Sequence, residues 1–184
     1  MTLNIIHLQH RIDRLLILKE EFTNQNITDF KIWEGIVDCD SPCAGISKAH
    51  KQIVKYARDV NLPEVLIGED DLHFVSDGAY NFFLKNKPVD FDVYLGGIYS
   101  GEIKTDNTVN DFAALTLYIV NKRYYDIFLN LPENIHLDRA MRYTGRFVVC
   151  HPFVVKQHNG FSDNLKIESD DDRYLLGREF YNGN

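Results

Sequence analysis

The sequence predicts an α/β domain built on a mostly parallel central sheet. Short apolar runs rich in Val, Ile and Leu alternate with longer segments whose apolar residues recur at helical spacing. No repeat, low-complexity tract or obvious linker interrupts that alternation. At 184 residues, 45% hydrophobic and 12% aromatic, the chain suits one core, so residues 1–184 read as a single domain.

The elements follow in order. Leu3 to Leu8 is strand-like, and Ile12, Leu15, Leu18 and Phe22 then mark a helix. Phe30 to Val37 reads as a second strand, closed by the polar turn "DCDSP". In "GISKAHKQIVKYARDV" the residues Ile46, Ala49, Ile53, Val54, Ala57 and Val60 share one helical face, and "NLP" ends the helix. The run "VLIG" is a buried strand, "YNFFLKN" a helix and "DVYLGG" another strand. "FAALTLYIV" is long and β-rich, whereas "KRYYDIFLNL" is amphipathic and helical. "HLDRAMRYTG" reads as a short helix with Gly145 as its C-terminal stop. "FVVCHPFVV" is a late strand, and the tail after Lys156 is polar and loop-like.

Composition excludes several functions. A net charge of −7 argues against broad binding to a nucleic-acid backbone. No run approaches the roughly 18 apolar residues of a membrane span. The N-terminus lacks the cationic start and long apolar stretch of a signal peptide, and Cys39, Cys43 and Cys150 are an odd number of cysteines. Both features predict reduced thiols and a cytoplasmic protein. Cys39 and Cys43 lack the second Cys/His pair that a zinc site needs.

One stretch carries chemistry. In "EVLIGEDDLHF" an apolar strand runs directly into Glu69, Asp70 and Asp71. Adjacent like charges at the end of a core strand repel unless they splay into solvent or hold a cation. In open α/β sheets, ligands bind at the carboxyl ends of strands. Other acidic groups are placed less well. Asp38 and Asp40 flank a turn, Asp90 and Asp92 stand at the start of their strand, and Asp170 to Asp172 lie in the polar tail.

"GISKAHKQIVKYARDVNLPEVLIGEDDLHF" resembles the signature block of the family 25 glycosyltransferases, which include bacterial lipooligosaccharide glycosyltransferases and procollagen galactosyltransferases. "IIHLQHRIDR" is similar to that family's opening block, and "HPFVVKQHNGFSDN" to its closing one. Three departures stand out: His7 replaces the usual Asn, two residues separate Ser47 from His50, and the chain is short for the family. The resemblance implies a glycosyltransferase-A-type, Rossmann-like fold. It also implies a metal-dependent transfer of sugar from a nucleotide-sugar, most simply a UDP-sugar, to a glycan or glycoconjugate acceptor. Inversion at the anomeric carbon is part of the expectation. Mn²⁺ or Mg²⁺ would neutralise the diphosphate leaving group through hard carboxylate ligands.

Roles for individual residues follow from the resemblance. Asp71 and Glu69 are expected at the metal, with His158 completing the site and Gln157 beside it. Glu69, Asp70, His7, Arg11, Arg14, Ser47, His50, Gly96, Gly97 and Gln157 are expected around the donor. Asp138 is the expected catalytic base, with Glu133 and Asp163 as alternatives. Each has a structural reading as well. Ser47 could cap its helix, His50 pack in the core, Arg14 form a surface ion pair, Asp70 hold a loop, and Gly96 and Gly97 make a tight turn. Two other function classes stay open. One is a metal-dependent phosphohydrolase or nucleotidyltransferase. The other is a catalytically inactive nucleotide-sugar-binding module.

Overall fold

The computed structural model describes residues 1–163, 166–170 and 172–183. Asp171, the middle of the acidic tail run, and Asn164, which ends the closing block, lie outside the described residues. The first half alternates strand and helix as the sequence predicts. It runs β1 (Leu3–His7), α1 (Ile12–Asn24), β2 (Phe30–Glu34), α2 (Pro42–Asp59) and β3 (Glu64–Glu69). Then come β4 (Leu72–Phe74), α3 (Ala79–Lys85), β5 (Val93–Leu95), β6 (Thr108–Val109) and β7 (Leu117–Asn121). The last part holds α4 (Tyr125–Leu129), α5 (Leu137–Met141), β8 (Phe147–Val149), β9 (Val155–Gln157), β10 (Gly160–Ser162) and β11 (Ile167–Ser169).

The central sheet has the order β2-β1-β3-β7-β5-β8-β6. β1 pairs in parallel with both β2 and β3, and β5 with β8, whereas β7 and β6 run against their neighbours. The chain leaves β1 for β2 on one side and returns across it to β3 on the other. Right-handed crossovers then place α1 and α2 on opposite faces. The two cores obey this geometry. Val65 and Ile67 of β3 pack with Ile53, Val54 and Ala57 of α2. Leu66 packs on the other face with Leu18 and Phe22 of α1. The period-2 alternation within "VLI" thus divides one apolar run between two cores.

Several expectations change in detail. β2 stops at Glu34, and residues 35–41 form the loop that leads into α2. Within the β-rich run from Phe112, the strand in the sheet is Leu117–Asn121. "FVVCHPFVV" is two strands, β8 in the central sheet and β9 in a separate pair with β4. The tail is not plain loop, because β10 and β11 form an antiparallel hairpin. Helix α5 ends at Met141, before Gly145, and Tyr143 takes the left-handed backbone at φ 60°. Gly145 is needed for another reason: a Cβ there would lie 2.9 Å from the Tyr124 ring.

Gly96 and Gly97 follow β5, where β9 approaches. A Cβ on Gly97 would sit 2.6 Å from the Val155 carbonyl oxygen, and one on Gly96 would sit 2.9 Å from the Val155 side chain. Packing of the chain against itself is enough to require these glycines. Gly97→Ala is expected to cost about 1–3 kcal/mol in urea unfolding. Wild-type stability in that variant would show that β9 can give way.

Candidate active site

The carboxyl ends of β1, β2 and β3 open into a cleft of about 530 Å³, a size suited to a small-molecule ligand. It lies at the switch point between β1 and β3, where an open α/β sheet places its ligand. Ile6, Val37 and Ile46 give it an apolar wall, Glu69 to Asp71 an acidic floor, and Asp138 and Tyr99 line it as well.

The three carboxylates have different surroundings. Glu69 ends β3, its amide held by the Thr116 carbonyl. Its Oε2 accepts from Gln157 Nε2 at 2.8 Å, and its Oε1 lies 3.3 Å from His50 Nε2. His50 is buried in α2, with Nδ1 2.6 Å from the Tyr118 hydroxyl. When that hydroxyl donates to Nδ1, Nε2 carries the hydrogen that faces Glu69. Burial pushes Glu69 upward, but the hydrogen bonds from His50 and Gln157 hold its carboxyl below the usual value.

Asp70 lies next to Glu69 in the turn that joins β3 to β4. It is buried and saturated. Oδ2 accepts from His7 Nδ1 at 2.8 Å and from the Leu8 amide at 3.3 Å, while Oδ1 accepts from Arg14 Nη1 at 2.8 Å. Asp70 and His7 therefore hold the β1–α1 connection in place, and His7, expected near the donor, is not among the residues that line the cleft.

Asp71 is the unfinished member. Its Oδ2 is 3.1 Å from Arg14 Nη1, while its Oδ1 is buried with no hydrogen-bond partner among the described residues. Burial, and then the charge of Glu69, push its carboxyl up to about 8, and Arg14 only partly opposes them. An orphaned, buried carboxylate oxygen beside a cleft fits one protein ligand of a hard divalent cation, whose remaining positions a diphosphate and water can fill.

The other expected residues divide. Arg14 reaches the cleft and also donates to the Phe161 carbonyl at 3.1 Å. Arg11 does not reach it. Its guanidinium bonds Asp163 at 2.6 Å and Asp13 at 2.7 Å, fastening α1 to the β10 arm. Asp163 is thereby engaged, and Glu133 pairs with Lys51 at 2.9 Å. Ser47 is neither a cap nor a cleft residue. It lies inside α2, fully buried, with no hydrogen-bond partner for its hydroxyl among the described residues. Asp138 does face the cleft, from the first turn of α5. Its Oδ1 accepts from the Arg139 amide at 2.7 Å and its Oδ2 from the Ala114 amide at 3.1 Å. Ala114 has φ 83°, a strained backbone for a residue with a Cβ, at the cleft wall.

His158 departs most from expectation. Its backbone amide donates to the Asp71 carbonyl at 2.7 Å, but its imidazole turns to Glu21 and His73. Ligand atoms of Glu21, His73 and His158 all lie within 4.8 Å of one another. Sequence reasoning missed Glu21, His73 and Tyr118. Glu21 sits within a helix pattern, and β4, which carries His73, is three residues long.

No protein-family model matches this sequence, and no curated protein matches it. Solved structures do. The A197 protein of STIV aligns with TM-score 0.51 at 11% identity over 89% of this chain and 86% of its own. A mutant of the Drosophila β-1,4-galactosyltransferase 7, complexed with manganese, UDP-Gal and xylobiose, aligns with TM-score 0.50 at 13% identity, over 98% and 75%. The fold is thus the α/β, glycosyltransferase-A type. No helix among the described residues is long and apolar enough to cross a membrane.

The contrast between Asp70 and Asp71 can be measured by urea unfolding without added metal. Asp70→Asn is expected to lose about 3–5 kcal/mol, because it strips a buried pair from Arg14 and His7. Asp71→Asn replaces a carboxyl that burial and Glu69 already push towards its neutral form, so stability near neutral pH should hold or rise. Equal losses in both variants would refute the division of roles.

Proposed function

We propose that this chain is a metal-dependent glycosyltransferase that moves a sugar from a nucleotide-sugar, to be tested first as a UDP-sugar, to a glycan or glycoconjugate acceptor with inversion. The carrying observation is the orphaned Oδ1 of Asp71 at the carboxyl end of β3, in a cleft that Asp138 also faces. The fold is consistent with that reading. Family 25 membership rests on the sequence blocks quoted above.

A divalent ion, Mn²⁺ or Mg²⁺, held by Asp71 with Glu69 beside it, would supply charge neutralisation to the departing diphosphate. The chain's own residues do the rest. Arg14 lies against Asp70 and Asp71 and offers a fixed cation near the same anion. Gln157 and His50 fix Glu69 from β9 and α2, so its carboxylate is preorganised. The apolar wall of Ile6, Val37 and Ile46 suits a nucleobase. Asp138 is the proposed base. Both its oxygens are oriented by backbone amides, and each keeps a lone pair for the acceptor hydroxyl. The acceptor oxygen forms the new bond to the anomeric carbon as the sugar–phosphate bond breaks. The diphosphate leaves with the electron pair, and the acceptor's proton passes to Asp138.

Asp71→Asn is expected to abolish Mn²⁺-dependent binding of UDP-sugar in calorimetry, and unchanged binding would remove Asp71 from the metal. Asp138→Asn should lower turnover at least about a hundredfold with donor binding intact. Nucleotide release should need acceptor. Equal release without acceptor would identify a hydrolase, and none under any donor and acceptor would identify a binding module.

A further inference from the structure

Glu21, His73 and His158 come from α1, β4 and the loop after β9, and the transfer reaction uses none of them. They meet at one atom. Glu21 Oε1 is 2.6 Å from His73 Nδ1 and 3.3 Å from His158 Nε2, and the two rings stand 4.6 Å apart. We propose that these three side chains bind a borderline transition-metal ion of the Zn²⁺ or Co²⁺ class, at a site separate from Asp71, and that this ion ties α1 to the β4–β9 pair beneath the cleft.

A plain carboxylate–imidazole pair explains His73 but not His158. The Nε2 of His158 is sealed from solvent, yet it makes no hydrogen bond among the described residues despite its nearness to Glu21. A buried nitrogen that lies near a carboxylate without an aligned hydrogen bond to it is costly. A metal ion would take its lone pair. The spacing suits one, since ligands bound tetrahedrally at about 2.0–2.1 Å lie about 3.3 Å apart. The Glu21–His158 separation already has that value, the shorter His73 contact would open, and all three ligand atoms lie within 4.8 Å of one another. Glu21 is also held as metal-bound carboxylates are. Its second oxygen accepts from the Phe74 amide at 3.1 Å, which leaves Oε1 free to point between the rings. The two imidazoles are each about one-third exposed, which gives the ion a way in and leaves room for water as a fourth ligand.

Ligand type separates this site from the proposed catalytic one. Two imidazoles and a carboxylate favour Zn²⁺ or Co²⁺ over Mg²⁺, whereas the oxygen of Asp71 suits hard ions. The proposal does not depend on the transferase reading, and its test uses no sugar donor.

The experiment titrates the chelator-stripped protein with Co²⁺ and reads the visible absorption of four-coordinate cobalt, with Zn²⁺ as competitor and circular dichroism to verify folding. Wild type should bind one Co²⁺ at this site, displaced by Zn²⁺. His73→Ala and Glu21→Gln should each weaken binding at least about tenfold, while Asp71→Asn should leave it unchanged. If His73→Ala does not fold, His158→Ala, which alters a partly exposed ring, should show the same loss. Wild-type Co²⁺ affinity in the folded histidine variant would overturn the proposal. So would loss of the cobalt spectrum in Asp71→Asn alone, which would assign the ion to the carboxylate floor.

Discussion

Three carboxylates at the end of a buried strand must be compensated, and the arrangement of the cleft follows from how each one is. Two unit charges 4 Å apart interact by about 4 kcal/mol at an effective dielectric of 20, so uncompensated neighbours would compete with the whole stability of a domain. Each carboxylate draws its partners from elsewhere in the chain. Glu69 is met by His50 of α2 and Gln157 of β9, and Asp70 by His7 of β1 and Arg14 of α1. The same bonds that relieve repulsion therefore fix the positions of α1, α2 and β9 around the cleft. Only Asp71 is left short. Asp70 and Asp71 stand in the turn after β3 and share one cation, Arg14 Nη1, at 2.8 and 3.1 Å. His7 and the Leu8 amide complete Asp70, whereas nothing among the described residues hydrogen-bonds Oδ1 of Asp71.

Close backbone contact is the second constraint. A Cβ on Gly45 would lie 2.5 Å from the Ile36 carbonyl, so the start of α2 rests directly on the loop after β2. Asp38 completes that junction by accepting from the Ser41 amide at 3.0 Å. The glycine that opens "GISKAH" is thus explained by packing, and the packing brings Ile46, Ala49 and His50 to the cleft wall. Gly68 plays a similar part within β3, where a Cβ would press on Ile5 and Leu72. The apolar strand can carry charge to its end because its neighbours close tightly around it.

How much of this was legible follows from how local each signal is. The βαβαβ half was readable because apolar period and helix-stop residues lie within a few positions of one another. Glu69 to Asp71 were readable because an uninterrupted apolar strand precedes them. β4, β6, β10 and β11 are two or three residues long and formed by pairing with distant partners, so no local period announces them. The same limit applies to side-chain direction. "SKAH" places Ser47 and His50 one turn apart, yet Ser47 enters the core while His50 reaches Glu69. The turn of Arg11 to Asp163, more than 150 positions away in sequence order, and of His158 to Glu21 likewise depends on the hairpin's final placement, which only tertiary structure determines.

His158 joins these strands of reasoning. Its amide holds the Asp71 carbonyl while its imidazole meets Glu21 and His73, so one residue touches the backbone of the carboxylate floor and the side chains beneath it. An ion between those side chains would restrain the β9 loop and, through the amide, the backbone that presents Asp71. Asp71 gains the least from its surroundings and so has most need of a fixed backbone. A nitrogen-rich site that rigidifies and an oxygen-rich site that reacts can occupy adjacent positions without exchanging ions, because their donor atoms select different metals. The division of labour within "EDD" is thus one of partners: bonded groups hold the frame, while Oδ1 of Asp71 has no hydrogen-bond partner among the described residues.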